Sequence, residues 1–465
     1  MAKKKEAATP DQRLQDALVP CTEWPYKVPD NWCWTYVSNL CKLINGKAFK
    51  PSDWSEEGVP IVRIQNLNNP DAPYNYFSGV VEEKFRLAGK ELLFAWSGTP
   101  GTSFGAHIWQ GSNAVLNQHI FRVDFDENKL SKEFFMYAIN QQLERLISEA
   151  HGGAGLQHVT KGVFEATPIP LPPLPEQNRI VDRIESLFAQ LDEAKEKAQA
   201  ALDSFEPRKA AILHKAFTGE LTAQWREAHG VGMEDWKHCS LIDLLIEKPR
   251  NGYSPKPVAY ETKYKSMTLS ATTSGVFKPE HFKYIDEEIQ EGSYLWVAPG
   301  DILIQRANSL EKVGTSAIYT GNEHEFIYPD LMMKLRVKEP YNVFYISYFL
   351  KTDFTLCYFR ANATGTAGNM PKINQKVVSE TPVDIPGTDE QEEIVRILDS
   401  LLAKEQQAKE TAEAVLEQID LIKKSILSRA FHGELGTNDP SETSAKELLK
   451  KIQAMPVPKK IPRQK

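Results

Sequence analysis

The stretch Thr167-Pro-Ile-Pro-Leu-Pro-Pro-Leu-Pro-Glu-Gln-Asn-Arg-Ile-Val181 returns 214 residues later as Thr381-Pro-Val-Asp-Ile-Pro-Gly-Thr-Asp-Glu-Gln-Glu-Glu-Ile-Val395. Extended without a gap to Val163–Leu221 and Val377–Leu435, the two copies share 25 of 59 positions and close on Ala216-Phe-Thr-Gly-Glu-Leu221 and Ala430-Phe-His-Gly-Glu-Leu435. Solenoid repeats run at roughly 20–50 residues, so this period marks two copies of a whole module. A chain with two equivalent modules is suited to a two-part target.

Working outward, each copy opens on a Pro-bounded strand and continues into a long helix. Apolar residues recur in steps of three and four, the coiled-coil spacing. In the first helix they include Ile184, Leu187, Leu191, Ala194 and Ala198; in the second, Leu398, Leu401, Ala408, Ala412 and Val415. The pattern predicts that the two helices pack on each other, antiparallel, about a pseudo-twofold axis. About 30 residues give a rod of roughly 45 Å, long enough to act as a ruler. Pro207 should break the first helix, where the second has Leu421.

Upstream of each Pro-bounded strand lies a mixed stretch of strand signals. Val59–Ile64, Glu91–Trp96 and His119–Val123 precede a helical Lys132–Ile147. Tyr264–Ser270, Asp301–Arg306 and Met332–Val337 precede a helical Val343–Leu350 in the same order. The expected fold is mixed α/β, with two globules each followed by a long helix. The boundaries read as an N-terminal tail (1–30), a first globule (31–170), a spacer helix with connector (171–225), a second globule (226–384), a second spacer helix (385–435) and a basic, Pro-rich C-terminal tail (436–465).

The composition is that of a soluble protein of 465 residues, 41% hydrophobic and 25% charged. Five scattered cysteines without ligand spacing read as reduced thiols in a cytoplasmic chain. The start lacks a signal-peptide pattern, and no run of about 18 apolar residues points to a membrane. A net charge of −7 argues against a chain that coats nucleic acid by itself, so loops or a partner must supply positive charge.

No catalytic constellation stands up. There is no Asn-Pro-Pro or Asp-Pro-Pro loop for holding an adenine amino group and no P-loop. The Gly98/Gly101/Gly105 loop lacks the phosphate-binding lysine. Pro70-Asp71 with Glu82-Glu83-Lys84 satisfies a loose nuclease pattern that has no counterpart in the second module. No His pair has metal-ligand spacing.

The loops instead carry residue types that read base edges and grip phosphates. In the first globule these are Lys47, Lys50, Arg63, Gln65, Asn66, Ser97, Thr99, Thr102, Ser103, Asn117 and Gln118. In the second they are Arg250, Asn251, Lys256, Ser270, Thr272, Thr273, Gln305, Arg306, Asn308, Ser309 and Lys372. Each set is accompanied by a small-residue loop before the Pro-bounded strand: His151-Gly-Gly-Ala-Gly-Leu-Gln-His158 and Thr364-Gly-Thr-Ala-Gly-Asn-Met-Pro-Lys372. Small residues there allow close backbone approach.

On these features the chain resembles, over nearly its whole length, the specificity subunits of type I restriction–modification systems. The repeated Pro-[Ile/Leu]-Pro frame leading to Glu176-Gln177 and Glu390-Gln391, the long helices, the Ala-Phe-x-Gly-Glu-Leu close and Leu221-Thr-Ala-Gln-Trp-Arg226 carry the resemblance. The second copy departs at Asp384 and Gly387-Thr-Asp389, where prolines are lost. The resemblance implies a non-catalytic subunit whose globules are target recognition domains, each reading half of a split double-stranded DNA sequence. It implies two methyltransferase subunits on the repeated frame and two motor/nuclease subunits. S-adenosylmethionine, ATP and Mg²⁺ would belong to those partners, with no cofactor or metal on this chain. The alternative from another class is a coiled-coil scaffold that binds only protein.

Overall fold

The Pro-bounded repeat folds the same way in both copies. Pro168–Leu171 pairs antiparallel with Cys33–Tyr36, and Pro382–Ile385 pairs antiparallel with Lys237–Ser240. Proline cannot donate to a ladder, so a two-stranded ribbon suits these strands. The computed structural model describes residues 9–69, 71–98, 104–153, 156–365 and 370–454. It divides into two units, one of residues 1–196 with 416–465 and one of residues 197–415.

In the first unit a four-stranded antiparallel sheet runs Lys42–Asn45, Ile120–Asp124, Leu92–Ala95, Gly105–Ile108. In the second unit the corresponding order is Arg250–Asn251, Met332–Leu335, Ile302–Gln305, Ser316–Ile318. Each unit adds a second four-stranded sheet with one parallel pair, Val59–Val62 on Ala114–Leu116 and Tyr264–Met267 on Phe326–Ile327. The central strands Leu92–Ala95 and Ile302–Gln305 are buried along their length, as expected of strands covered on both faces.

The repeated Gln of each frame explains why that dipeptide recurs. Gln177 Oε1 accepts from the backbone N–H of Ser131, the N-cap of helix Lys132–Gln141, while its Nε2 donates to Pro172 O at 3.0 Å. Gln391 does the same with Asn342, the N-cap of helix Val343–Phe349, and with Pro386 O at 2.9 Å. Each Gln thus ties its Pro-rich turn to the N-cap of a helix of its globule.

The long helices break where the sequence says they should. Leu174–Asp203 ends one residue before Phe205–Phe217, whose third residue is Pro207. The ring of Pro207 leaves the Asp203 carbonyl without its helical donor. Thr388–Phe431, with Leu421 at the equivalent place, runs 44 residues unbroken. In each unit the two frame helices lie antiparallel. In the second unit Lys409 sits over the Phe205 ring, Arg208 Nε donates to Glu405 at 2.8 Å and Arg226 pairs with Glu390, so partner numbers fall as the first number rises. In the first unit Lys423 meets Phe188 and Asp192, and Arg179 reaches Thr437 and Glu442.

The inward stripe differs in part from the apolar reading. Ile184, Ala198, Leu398 and Ala412 are buried, and Leu187, Leu191, Ala194 and Leu401 are half-buried. Ala408 and Val415 are exposed; their neighbours Lys409 and Leu416 face inward instead. The seam runs through Glu405 and Lys409, whose aliphatic stems cover apolar surface while their charges are paired.

The stretches read as tails are folded over most of their length. Pro10–Ala17 is a helix with a Thr9 capping box, and it buries Leu14 and Ala17. Ala445–Gln453 is a second helix with Ala445 and Leu449 in the same core. The backbone N–H of Ala445 donates to Asn31 O at 2.8 Å. Residues 455–465 lie outside the described residues. Among the described residues no helix is long and apolar enough to cross a membrane.

Candidate nucleic-acid interface

Both globules build the same loop junction. In the first unit the small-residue loop returns as Leu156–His158 and pairs with Ser97–Gly98, directly after the central strand. Val159 N–H donates to Trp96 O at 2.8 Å. In the second unit Ala307 bridges Lys372, and Ile373 N–H donates to Arg306 O at 2.8 Å. Val159 and Ile373 are 214 residues apart, so the junction belongs to the repeat although its side chains differ.

A glycine fixes each junction from the other side. Gly46 N–H donates to Ile120 O and Lys47 N–H to Leu116 O; Gly252 N–H donates to Met332 O and Tyr253 N–H to Tyr328 O. A Cβ on Gly46 would sit 1.9 Å from the Asn117 carbonyl oxygen, and one on Gly252 would sit 2.1 Å from that of Tyr328. Only glycine lets the backbones cross this closely.

In the second unit the junction gathers most of the candidates. Arg306, Asn308, Ser309 and Lys372 lie side by side, and Gln305 ties them inward to the Ser270–Thr273 turn. Gln305 Nε2 donates to Leu269 O, Thr272 Oγ1 and Thr273 Oγ1, and its Oε1 accepts from Asn308 Nδ2. Gln305 and Thr272 are fully buried and hold the loops rather than facing outward. Arg306 Nη1 donates to Asp330 O at 3.2 Å, while its buried Nε has no partner among the described residues. Asn251 Oδ1 is buried and unpartnered too. Arg250 pairs with Glu247 at 2.6 Å and covers the Tyr294 ring, and Lys256, Ser270, Ser309 and Lys372 are exposed.

In the first unit Lys47 bridges Asn117 and lies over the rings of Phe49 and Phe77. Arg63 stacks over the half-exposed Trp54, and its buried Nε is unpartnered. Lys50 and Gln65 are exposed, the latter donating to Pro73 O. Asn66 and Ser97 are turned inward; Asn66 joins Arg63 N–H to Ala72 O through its amide. Thr99, Thr102 and Ser103 lie outside the described residues, as do Pro70 and Gly101.

Sequence reading missed an aromatic and imidazole cluster at this junction. Trp96, His119 and His158 lie within ring contact, and Gln118 Nε2 is 3.1 Å from His119 Nε2. The Nδ1 atoms of both histidines are buried without partners. Burial, and then the neighbouring His158, hold His119 below the usual imidazole value, which keeps it neutral at pH 7. Their position beside the small-residue loop was the available signal. Buried polar atoms are normally paired, so orphaned groups gathered at one junction mark a surface built for polar contacts.

The family model for the type I restriction modification DNA specificity domain matches residues 29–202 and 233–418. The chain belongs to this family. It is 26% identical over 459 residues to the EcoKI specificity subunit of Escherichia coli K12, spanning 92% of this chain and 96% of that one. It is 23% identical over 458 residues to the EcoBI specificity subunit of Escherichia coli, spanning 92% and 93%. The crystal structure of the HsdS subunit from Thermoanaerobacter tengcongensis matches 89% of this chain and all of that one, at a TM-score of 0.59 and 18% identity. A structure solved for complex assembly and conformational transition of the type I system matches 88% of this chain and all of that one, at a TM-score of 0.66 and 18% identity.

As a specificity subunit the chain is the DNA-target-recognition component of a type I system, not its catalyst. On the residues of the loose nuclease pattern, Lys84 is paired to Glu82 at 2.7 Å on the surface, and Asp71 N–H donates to Asn69 Oδ1.

Proposed function

We propose that each globule reads one half of a split double-stranded DNA target through its loop junction, and that the frame helices set the unspecified gap. The observation that carries this reading is the repeat itself. The same backbone contacts join the small-residue loop to the central strand in both units, while the side chains presented differ: Trp96, His119 and His158 in one, Arg306, Asn308 and Lys372 in the other. One scaffold with two sets of readers suits two different half-sites.

Arg and Asn make bidentate contacts to base edges, and Lys, Ser and Thr position phosphates. Half-sites read from one face of B-DNA lie about 34–36 Å apart, a distance of the order of the frame helices. In this reading two methyltransferase subunits dock on the repeated frame for adenine N6 methylation, and two motor/nuclease subunits add ATP-dependent cleavage. S-adenosylmethionine, ATP and Mg²⁺ are held by those partners, whose charge supplements an acidic chain. The test is an exchange of residues 31–160 for the first globule of another specificity subunit. One half-site should change, with the other half and the gap retained; a change in both halves would overturn independent reading.

A further inference from the structure

The two Pro-bounded ribbons are equivalent, but among the described residues only one is covered. In the first unit the outer edge of Cys33–Tyr36 is paired by the chain's own N-terminal segment: Leu18 bridges Thr35, and Val19 N–H donates to Trp34 O at 3.0 Å. The segment continues to Tyr26, whose ring stacks on His432 at 3.8 Å and meets Trp34 edge-on at 4.9 Å. Trp34 is completely buried.

The same register in the second unit puts His238 where the first has Trp34, since His238 faces Asp384 as Trp34 faces Pro170. Thr218 stands where the first has His432, 214 residues on. Here nothing among the described residues bridges the outer edge of Lys237–Ser240, and the His238 side chain is 74% exposed. A cavity of about 480 Å³ lies beside that edge, walled by His214, Phe217, Phe349, Phe354 and Pro382, with Phe354 58% exposed. An unpaired strand edge next to an apolar pocket accepts an extended peptide, the backbone giving affinity and the pocket selecting a side chain.

We propose that this groove receives an extended, aromatic-bearing segment of the methyltransferase subunit, which pairs with Lys237–Ser240 as Leu18 and Val19 pair with Cys33–Tyr36 and sets a ring against His238 as Tyr26 meets Trp34 edge-on. The choice of occupant rests on the reading of the frame as the methyltransferase dock. The groove is walled by the Pro-bounded strand, the frame helix and the globule helices Val343–Phe349 and Asp353–Ala361, and by none of the candidate DNA-reading residues, so it suits a partner shared whatever the target. Because the first unit fills its own groove, only one of the two methyltransferase copies is held this way.

Two measurements on the full chain test it. A labelled peptide of residues Ala17–Val28 should bind the chain saturably with one site. Tyr26→Ala in the peptide should weaken binding at least tenfold, and Phe354→Ala in the chain severalfold. Absence of binding, or binding unchanged by both substitutions, overturns the groove. Self-association of the chain that Tyr26→Ala abolishes would make a second copy the occupant and overturn the assignment. Amide exchange of Lys237–Ser240 should then slow at least tenfold in the complex co-expressed with the methyltransferase, relative to the free chain. Unchanged exchange in a complex that has formed overturns this proposal alone, whereas failure of the complex to form counts against the docking reading on which it rests.

Discussion

Glu176 and Glu390 hold the same place in the repeat, and each accepts from a tryptophan indole, Trp32 at 2.7 Å and Trp236 at 3.0 Å. Their remaining company differs. Glu390 also takes Arg226 Nη1 and Thr222 Oγ1, both at 2.6 Å, in a buried ion pair. Among the described residues Glu176 takes only the Asn438 amide besides, and burial raises its pKa in spite of these hydrogen bonds. Breaking a buried pair leaves an uncompensated charge, so Glu390→Gln should cost about 3 kcal/mol in urea unfolding at pH 7. Glu176→Gln should cost no more than about 1 kcal/mol. The raised value also fixes a sign. The folded carboxyl keeps its proton to higher pH than the unfolded one, so stability is fuller below the unfolded value and declines as pH rises through the folded value. Glu176→Gln should flatten that decline; an unchanged pH slope would contradict it. The Glu-Gln repeat was legible in the sequence, but its partners were not, because Ser131 and Asn342 come from the divergent globules. Direction was equally hidden. Asn66, Thr272 and Gln305 are polar residues like Arg306 and Lys372, yet a short helix, a turn and the end of the central strand point them inward. Among the outward set, Arg306→Ala should cost about 1–3 kcal/mol of discrimination in one half-site. Lys372→Ala should weaken DNA binding evenly across sequences and reduce the salt slope by about 0.9. Loss of sequence preference from Lys372→Ala would reverse those roles.

At the scale of elements, the Pro-bounded strands and frame helices were readable because proline placement and a period near 3.5 are local properties. The break at Pro207 followed from its missing donor. The register of the seam was less accessible, since Lys409 and Glu405 can face inward once Phe205 and Arg208 answer them. Antiparallel pairing also dictates how a spacer test must be built. Seven residues inserted after Ala194 alone would shift one helix against the other, and a matching insertion after Leu421 restores the seam. The paired insertion adds about 10 Å of helix, roughly three base pairs, and should lengthen the gap between half-sites by that amount with both halves unchanged. An unchanged gap in a folded variant would sink the ruler reading. Gly46→Ala and Gly252→Ala act on a different element, forcing crossing backbones apart at a cost of about 1–3 kcal/mol. Each should blur its own half-site in a methylation map and leave the other sharp.

For the whole molecule, two globules on two matched frames were visible in the repeat, whereas the ends were misread as tails. Ala445, Leu448, Leu449 and Ile452 carry helical spacing, and Leu14 and Ala17 do so on a single short turn. Segments this brief are marginal as isolated helices and form because they dock on the first unit's core. The loops that differ between the halves are the part that sequence resolves least, because on the proposed reading their outward side chains answer to a target while the inward ones answer to the fold. The most direct measurement is co-expression of this chain with its methyltransferase subunit, followed by single-molecule mapping of methylated adenines across the host genome. The expected result is one split motif, two short specified halves around a fixed unspecified gap, with Arg306→Ala degrading one half only. A continuous motif, or none from a well-formed complex, would contradict the account.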